Sequence, residues 1–587
     1  MGGNSKASKV TKTQIEEFEA AVDQTFLKRP LPHVNRVLAV WYYLTAAEDS
    51  LRNLFCNFKE DDPRSLIVFY VDRYKYAMRH ALSRIFSENN DTNWTNVPRK
   101  VVGKLYIKAS QLIRAGIDYS LASQLCASLH TGTAKIALED NCWHVHLDDP
   151  THDSSYGALE LLGVARHRYL DPATIFLHLV LREEPLPDSV NSIAISIRAS
   201  KELLDYDYEQ DKAIELSRLI PQSPHILPET WMFEWGDRSK TNLLLNALII
   251  RCMYHIVAIH FGSALHGVSG GGVDSLVLVM KRDQLTLDLE LMSGLETKRV
   301  RSFVSALTWG HHTTTPDPAL QPLIPMGSGW LAIPCIHILS SNLERNLLSL
   351  MARTRPDSFD AQSNQFEREM VTEFKSASLP EGTLMCANVQ LNLGGEEEEI
   401  DTLLFDVGRR TLLVAELRWM LGPGDPREIL NRQKECLKKV DQVRRKVDWA
   451  ARNATKLARC ALGPDADTSG EWKVSGIVLL TGYAGTRSAD IRYPIMPLAL
   501  FLGGLQSARS LDELISWCQS LSWLPQLGRH FEVGTTRIDL EMSKQLKVQG
   551  LSVIGSATEY LSDALAGLSR RSGQDSRCDL AEKRSDD

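Results

Sequence analysis

Apolar residues recur at three- and four-residue spacings over Gln14 to Phe26, Val37 to Phe55, Ile67 to Phe86 and Val101 to Leu129. That period predicts four helices, each with one buried face. Lys135 to Leu147 interrupts them with a β-like pattern, and Asp148 to Tyr156 reads as a loop. Helical spacing returns at Pro172 to Arg182 and Asp211 to Leu219. Asn242 to Gly262 is apolar almost all round and predicts a buried helix. The wider stretch Leu243 to Val268 is broken by Arg251, His255, His260 and His266, so it reads as a core helix and not a membrane span.

Beyond Leu276 the pattern changes. Leu276 to Met280 is an apolar run, Arg282 to Met292 predicts a helix, Gly294 breaks it, and Glu296 to Leu307 predicts another. Leu323 to Ile333, with Gly327-Ser328-Gly329 between its halves, predicts a hairpin. Two readings stay open: a winged-helix-like segment carrying Lys298, Arg299 and Arg301 on its second helix, or a plain helical hairpin. From about residue 356 helix and strand alternate, which predicts an α/β domain. Within it Val474 to Leu480 and Leu498 to Leu502 predict strands, and Ser510 with Glu513 predicts a capping box. The expected division is 1–12 and 568–587 as disordered tails, 13–275 mainly α-helical, 276–355 winged-helix-like, 356–525 α/β, and 526–567 C-terminal strands and helix.

The chemistry concentrates between Gly395 and Trp419. Ile400 to Asp406 and Thr411 to Trp419 are β-prone, and Val407-Gly408-Arg409-Arg410 is a turn signal. A two-residue type II′ turn with Gly408 first fits it. If Val407 faces Arg410, opposing residues sum to 817, so Asp401 faces Glu416 and Glu399 faces Arg418. Directly opposed Cβ atoms lie ~5 Å apart, so two carboxylates so placed repel unless a cation joins them. Oxygen ligands of this kind suit Mg²⁺ or Mn²⁺. Upstream, Phe366, Met370 and Phe374 form one helical stripe bordered by Glu367. Leu384 to Leu393 alternates as a strand with one polar face. Downstream, Arg427 to Arg459 is amphipathic, with 11 Lys/Arg against 4 Asp/Glu. Its apolar stripe runs through Leu437, Val440, Val443 and Val447, and Lys434, Lys438, Gln442 and Arg445 lie roughly opposite.

Glu367 on a helix, Asp401 on a strand, Glu416-Leu417-Arg418 on the next and Gln442 on the following helix together resemble the PD-(D/E)XK nuclease superfamily, over about residues 366–501. The resemblance implies a restriction-endonuclease-like mixed sheet flanked by helices, and a Mg²⁺-dependent phosphodiesterase acting on DNA, in defence or DNA processing. Asp401, Glu416 and the Leu417 carbonyl would hold the metal, and Glu367 would orient water. Lys434, Lys438, Gln442 and Arg445 would meet the nucleic-acid backbone. The chain departs from the pattern at Arg418, where the superfamily has lysine. Arginine stays protonated and cannot act as a base, yet it can stabilise negative charge on phosphate. Either Arg418 serves, or Lys434 or Lys438 reaches the site, or the domain binds without cutting and holds nucleic acid or a complex together. A third reading is a DNA-binding regulator working through Lys298, Arg299 and Arg301.

Composition alters this picture only locally. The 587 residues carry 66 Lys+Arg and 73 Asp+Glu, a net charge of -7, which excludes a globally basic coat protein. Residues 427–459 nevertheless carry +7 beside the acidic run Glu396 to Glu399 and Asp401. Ten scattered cysteines have no C-x-x-C spacing, and the N-terminus lacks an apolar signal core, which together imply a cytoplasmic protein with reduced thiols. The mainly helical region offers a surface for a protein partner, and no membrane association is expected. Gly270-Gly271-Gly272 resembles a phosphate loop, but it opens a β-like run where a helix is required. His144, His146 and Asp148 resemble a metallo-β-lactamase run that lacks histidine at Asp149. Asn90 and Asn93 match glycosylation sequons without a secretory signal.

Overall fold

The computed structural model describes residues 12–57, 64–89, 100–131, 134–147, 150–164, 172–182, 188–200, 203–221, 226–393, 396–423, 426–463, 468–540 and 544–568. The tails expected to be disordered, 1–12 and 568–587, lie outside these residues except for Lys12 and Leu568, as do the two sequons. The protein is mixed α/β in two compact units. One comprises Met1–Pro150, Arg168–Phe366 and Val533–Ser552, the other Thr151–His167, Glu367–Glu532 and Val553–Asp587. The division is discontinuous, whereas hydrophobic patterning alone yields consecutive blocks.

The first unit opens with the four predicted helices, α1 (Lys12–Leu27), α2 (Arg36–Asn57), α3 (Arg64–Glu88) and α4 (Gly103–Thr131). A hairpin follows, β1 (Ala134–Glu139) and β2 (Cys142–Leu147), turned by Asp140 and Asn141 at positive φ. The expected loop after it is largely a helix, α5 (Pro150–Leu162), which from Thr151 on belongs to the second unit. A proline in the first helical turn costs no hydrogen bond, so Pro150 starts that helix instead of preventing it. Next come α6 (Pro172–Leu181), α7 (Asp188–Ile195), β3 (Arg198–Ser200), β4 (Leu203–Asp205), α8 (Gln210–Leu219), β5 (Met232–Phe233), β6 (Gly236–Asp237) and α9 (Arg238–Leu265).

Among the described residues α9 is the one helix long and apolar enough to cross a membrane, and 78% of its most apolar window is buried inside the protein. Arg251 on α9 is buried and pairs with buried Asp288, Nε to Oδ2 at 2.8 Å. Its Nη1 donates to Tyr206 Oη at 3.2 Å, and Tyr206 Oη lies 2.7 Å from His255 Nδ1. With His255 Nε2 3.1 Å from the Leu276 carbonyl, every polar partner matches a neutral imidazole. Burial, then the Arg251 charge, push His255 down to about 3.

Gly270, Gly271 and Gly272 all adopt left-handed φ, and the Gly270 and Gly271 carbonyls accept from the Arg52 guanidinium. The loop thus presents acceptors to a cation, the wrong polarity for cradling phosphate. Beyond it lie β7 (Leu278–Lys281), α10 (Arg282–Ser293), α11 (Thr297–Ala306), β8 (Ile324–Pro325) and β9 (Trp330–Ile333). These strands form one antiparallel sheet in the order β7-β9-β8. The short α12 (Cys335–Leu339) and α13 (Leu343–Thr354) follow.

The second unit is built on α14 (Pro356–Lys375) from Glu367 on, β10 (Thr383–Leu393), β11 (Glu396–Asp406), β12 (Thr411–Trp419), α15 (Pro426–Leu462), β13 (Lys473–Thr481), β14 (Ile495–Pro497), α16 (Leu498–Ser507) and α17 (Leu511–Ser520). Its five-stranded sheet runs β10-β11-β12-β13-β14. The first three strands are antiparallel, and β12, β13 and β14 are parallel neighbours. Parallel strands need a crossover, and α15 supplies it between β12 and β13. Leu403, Phe405, Leu412 and Val414 from the sheet pack with Val440, Val443 and Val447 of α15. At about 25 cal/mol per Å² of buried apolar surface, this interface is the main term holding α15 in its phase.

Three expectations are corrected here. Leu498 to Leu502 is helical because a short apolar run fits helix or strand equally, and Pro497 at its N-cap sets the start. The β11–β12 turn is not type II′: Arg410, not Gly408, takes the left-handed φ of 50°. Its amide donates to the Val407 carbonyl at 3.2 Å, while Asp406 Oδ1 accepts from the Arg409 amide at 3.0 Å. On α17 Ser510 Oγ does accept from the Glu513 amide, but Glu513 Oε2 accepts from the Arg509 amide at 2.7 Å, so the box is shifted by one residue.

Finally, β15 (Phe531–Asp539), β16 (Gln545–Val553) and α18 (Ala557–Leu565) close the described chain. Gln545 to Lys547 pair in parallel with Cys142 to His144, completing a sheet ordered β1-β2-β16-β15.

Candidate active site

Despite the different turn, the predicted register holds. Every β11–β12 pair from Asp406↔Thr411 to Thr402↔Ala415 sums to 817. The ladder stops there, one pair short of Asp401 and Glu416. On the other side β10 and β11 pair with a constant sum of 789, except for a gap at Asn388 and Asp401. Asn388 takes a left-handed φ of 53° at this gap. Asp401 therefore stands where the ladders to both neighbours are interrupted. Its carboxylate replaces the missing backbone partner: Oδ2 accepts from the Leu417 amide at 2.8 Å.

Glu416 is buried, 2% exposed. Both its oxygens carry ion pairs from α15: Oε1 with Lys439 Nζ at 2.6 Å and Oε2 with Lys446 Nζ at 2.5 Å. Lys446 is itself buried. Burial first, and the nearby Glu416 charge second, push the Asp401 carboxyl up to about 6, against the pull of Lys446, the Leu417 amide and Lys439. The two acids thus sense each other, as the register requires. Two residues along β12, Arg418 Nη1 pairs with Glu367 Oε1 on α14 at 2.8 Å, both half-buried. Three carboxylates and three cations are therefore interleaved along one stretch of sheet and its flanking helices.

Several predicted residues land elsewhere. Glu399 is exposed and faces Gln390 on β10, so Arg418 is answered by Glu367 instead. Lys434, Lys438, Gln442 and Arg445 are exposed on α15 and do not reach the acids. Lys438 pairs with Glu435 at 2.7 Å and Arg445 with Glu398 at 2.7 Å. The lysines that do reach Glu416, Lys439 and Lys446, were missed because Leu437 was placed on the apolar stripe. Leu437 is 45% exposed, and buried Cys436 occupies that side of α15. A signal existed: Lys446 adjoins Val443 and Val447 and lies seven residues, two turns, from Lys439. A cation inside an apolar stripe implies a buried acid opposite it.

Among the described residues no group of three or more His, Cys, Asp or Glu is arranged to hold a metal ion. A divalent cation at this site would thus rest on Asp401 and Glu416 plus backbone and substrate oxygens, a donor set that suits Mg²⁺. Asp401 stands beside Glu416, with Oδ2 on the Leu417 amide; its pKa is raised by burial first and by the Glu416 charge second, and a cation would relieve the second, so the donor chemistry fits one. In the candidate run at His144, Ala137 and Lys135 are the cross-strand partners of His144 and His146, and Asp148 and Asp149 lie outside the described residues. No family model, curated protein or solved structure matches the chain.

Proposed function

We propose that residues 356–525 form a PD-(D/E)XK-type domain that hydrolyses phosphodiester bonds in DNA with Mg²⁺ or Mn²⁺. The observation that carries this reading is Asp401 and Glu416 side by side at the open end of a hairpin, with two lysines from the crossover helix on Glu416. The order α14-β10-β11-β12-α15-β13 supports it, because it supplies one acid and the two lysines from helices and two acids from strands. When bound, the cation supplies Lewis-acid stabilisation and a more acidic water. Asp401 and Glu416, with the Leu417 carbonyl, would hold it.

Lys439 and Lys446 fill the role that the motif's lysine leaves empty at Arg418. Fixed on Glu416, they place two ammonium groups next to the acids, where negative charge develops on a phosphoryl group under attack. Arg418, steadied by Glu367, presents a guanidinium suited to a phosphate oxygen. The exposed cations of α15 contact the nucleic-acid backbone beyond the scissile bond.

Supercoiled DNA incubated with the protein and Mg²⁺ or Mn²⁺ tests this. Asp401→Ala and Glu416→Ala are expected to lower cleavage by about 100-fold or more, and intact cleavage in both overturns the assignment. A second reading is favoured by one observation: both Glu416 oxygens already have ammonium partners. On that reading the domain binds without cutting. Wild-type protein that binds DNA but never cuts it, under either metal, selects this alternative.

A further inference from the structure

We infer that α11 and the β8–β9 turn form a winged-helix surface that docks duplex DNA, independently of the acid–lysine site. The order of elements carries it. A strand (β7), two helices (α10, α11) and two further strands (β8, β9) follow in winged-helix order, with the sheet ordered β7-β9-β8, and a bridge from Thr308 to Leu323 ties the end of α11 to the start of the wing hairpin. The turn between the helices is short: Gly294 takes φ 68°, and its amide closes on the Glu290 carbonyl at 2.9 Å.

On α11, Val300, Phe303 and Val304 are buried and fix the helix from behind. Lys298 and Arg301 are exposed and three residues apart, hence on one outward stripe. Within its ten residues α11 has three cations and no acid. Arg299, the third, is occupied: its Nη1 donates to the Trp235 carbonyl at 2.9 Å, which holds α11 against the β5–β6 hairpin. Arg299 is a positioning residue, and Lys298 and Arg301 are the contacts.

The wing tip has the shape for a close approach. Gly327, Ser328 and Gly329 all take left-handed φ, and the one side chain among them is a serine. Nothing bulky separates that backbone from a neighbouring phosphate chain. Beside the tip Lys281 is exposed, faces Trp330 across the ladder, and sets its ammonium 5.8 Å from the ring centroid. A helix stripe of two cations flanked by a small-residue tip and a third cation complements a duplex. One α-helix fills the major groove, and the phosphate rails lie on either side of it.

Full-length protein, with divalent cations removed by chelation, is titrated against a short labelled duplex while salt is varied. Lys298→Glu/Arg301→Glu should weaken binding at least ~10-fold and flatten the log K against log[salt] slope by about 2. Lys298→Ala/Arg301→Ala should shift both in the same direction by less, with unchanged circular dichroism. Unchanged binding in both pairs overturns the inference, as does parent protein that ignores the duplex or prefers single strands. Because cleavage is not read, loss of the proposed hydrolysis leaves this result standing, and a failed duplex contact leaves the hydrolysis assay standing.

Discussion

Two buried charge clusters, one in each unit, look alike on a list of ion pairs and differ in how they are satisfied. Around Arg251, opposite charges and neutral groups alternate: Arg251 bonds Asp288 and Tyr206, Tyr206 meets His255, and Gln284 Nε2 donates to Asp288 Oδ1 at 2.8 Å. The cluster ties α9 to α10, and its strain falls on His255, which burial and the Arg251 charge hold neutral, and not on a pair of like charges. Around Glu416, two acids crowd each other, two lysines converge on one carboxylate, and Asp401 is displaced to about 6. A pair that only holds helices together gains nothing from a repulsive neighbour. The Asp401 cluster tolerates one, and that tolerance separates a site from a strut.

Replacing Arg251 by Met should be the most damaging change to stability. It leaves Asp288 buried and unpaired, a loss of roughly 3–5 kcal/mol, readable as a large drop in the denaturation midpoint. Asp401→Asn should do the opposite: cleavage falls by about 100-fold while stability holds or rises, since a repulsion is removed. If Asp401→Asn unfolds the protein as Arg251→Met does, the two clusters are the same kind of object and the distinction fails.

Acid sharpens the contrast further. His255 has a folded pKa near 3, below its ordinary value, so its contribution is present above ~6.5 and is lost as pH falls toward 3. Asp401 has a folded pKa near 6, above its ordinary value, so its contribution is full below about 4 and is lost as pH rises through 6. Between pH 4 and 6 the two groups therefore drive opposite slopes, each on the order of 2 kcal/mol. Hydrogen exchange followed separately for α9 and β12 should show the slopes, and Asp401→Asn should flatten only the second.

The smallest effect is expected at the rim. Arg445→Ala takes an exposed guanidinium from Glu398, whose side chain is 11% exposed, and should cost about 1 kcal/mol of stability. It should still lower the salt slope of nucleic-acid binding by about 1, because one phosphate contact is lost. An unchanged slope would remove the outer face of α15 from the nucleic-acid path.

Much of this was legible in the chain. The helices from Lys12 to Thr131 and the β11–β12 register from Thr402 to Asp406 followed from periodicity and one turn, because strand register is a matter of integer arithmetic once a hairpin closes; the ladder itself ends one pair short of Asp401 and Glu416. The lysine partners were not read, since a helix with cations on several faces leaves its phase to the packing, and a misplaced Leu437 turned the chosen arc away from Lys439 and Lys446. The union of Gln545 to Lys547 with Cys142 to His144 was beyond reach. Pairing across some four hundred residues leaves no local period to find.

The placing of Lys439 and Lys446 two turns apart makes α15 a ruler as well as a wall. One residue inserted between Pro426 and Lys439 would rotate both lysines by about 100° and strip Glu416 of both partners at once. Four inserted residues would bring them back to within about 40° of phase. The length of the segment that enters this helix is therefore under tighter constraint than its composition. Insertions and deletions there should be rejected by size, in steps of a helical turn, where substitutions on the same exposed face pass unnoticed.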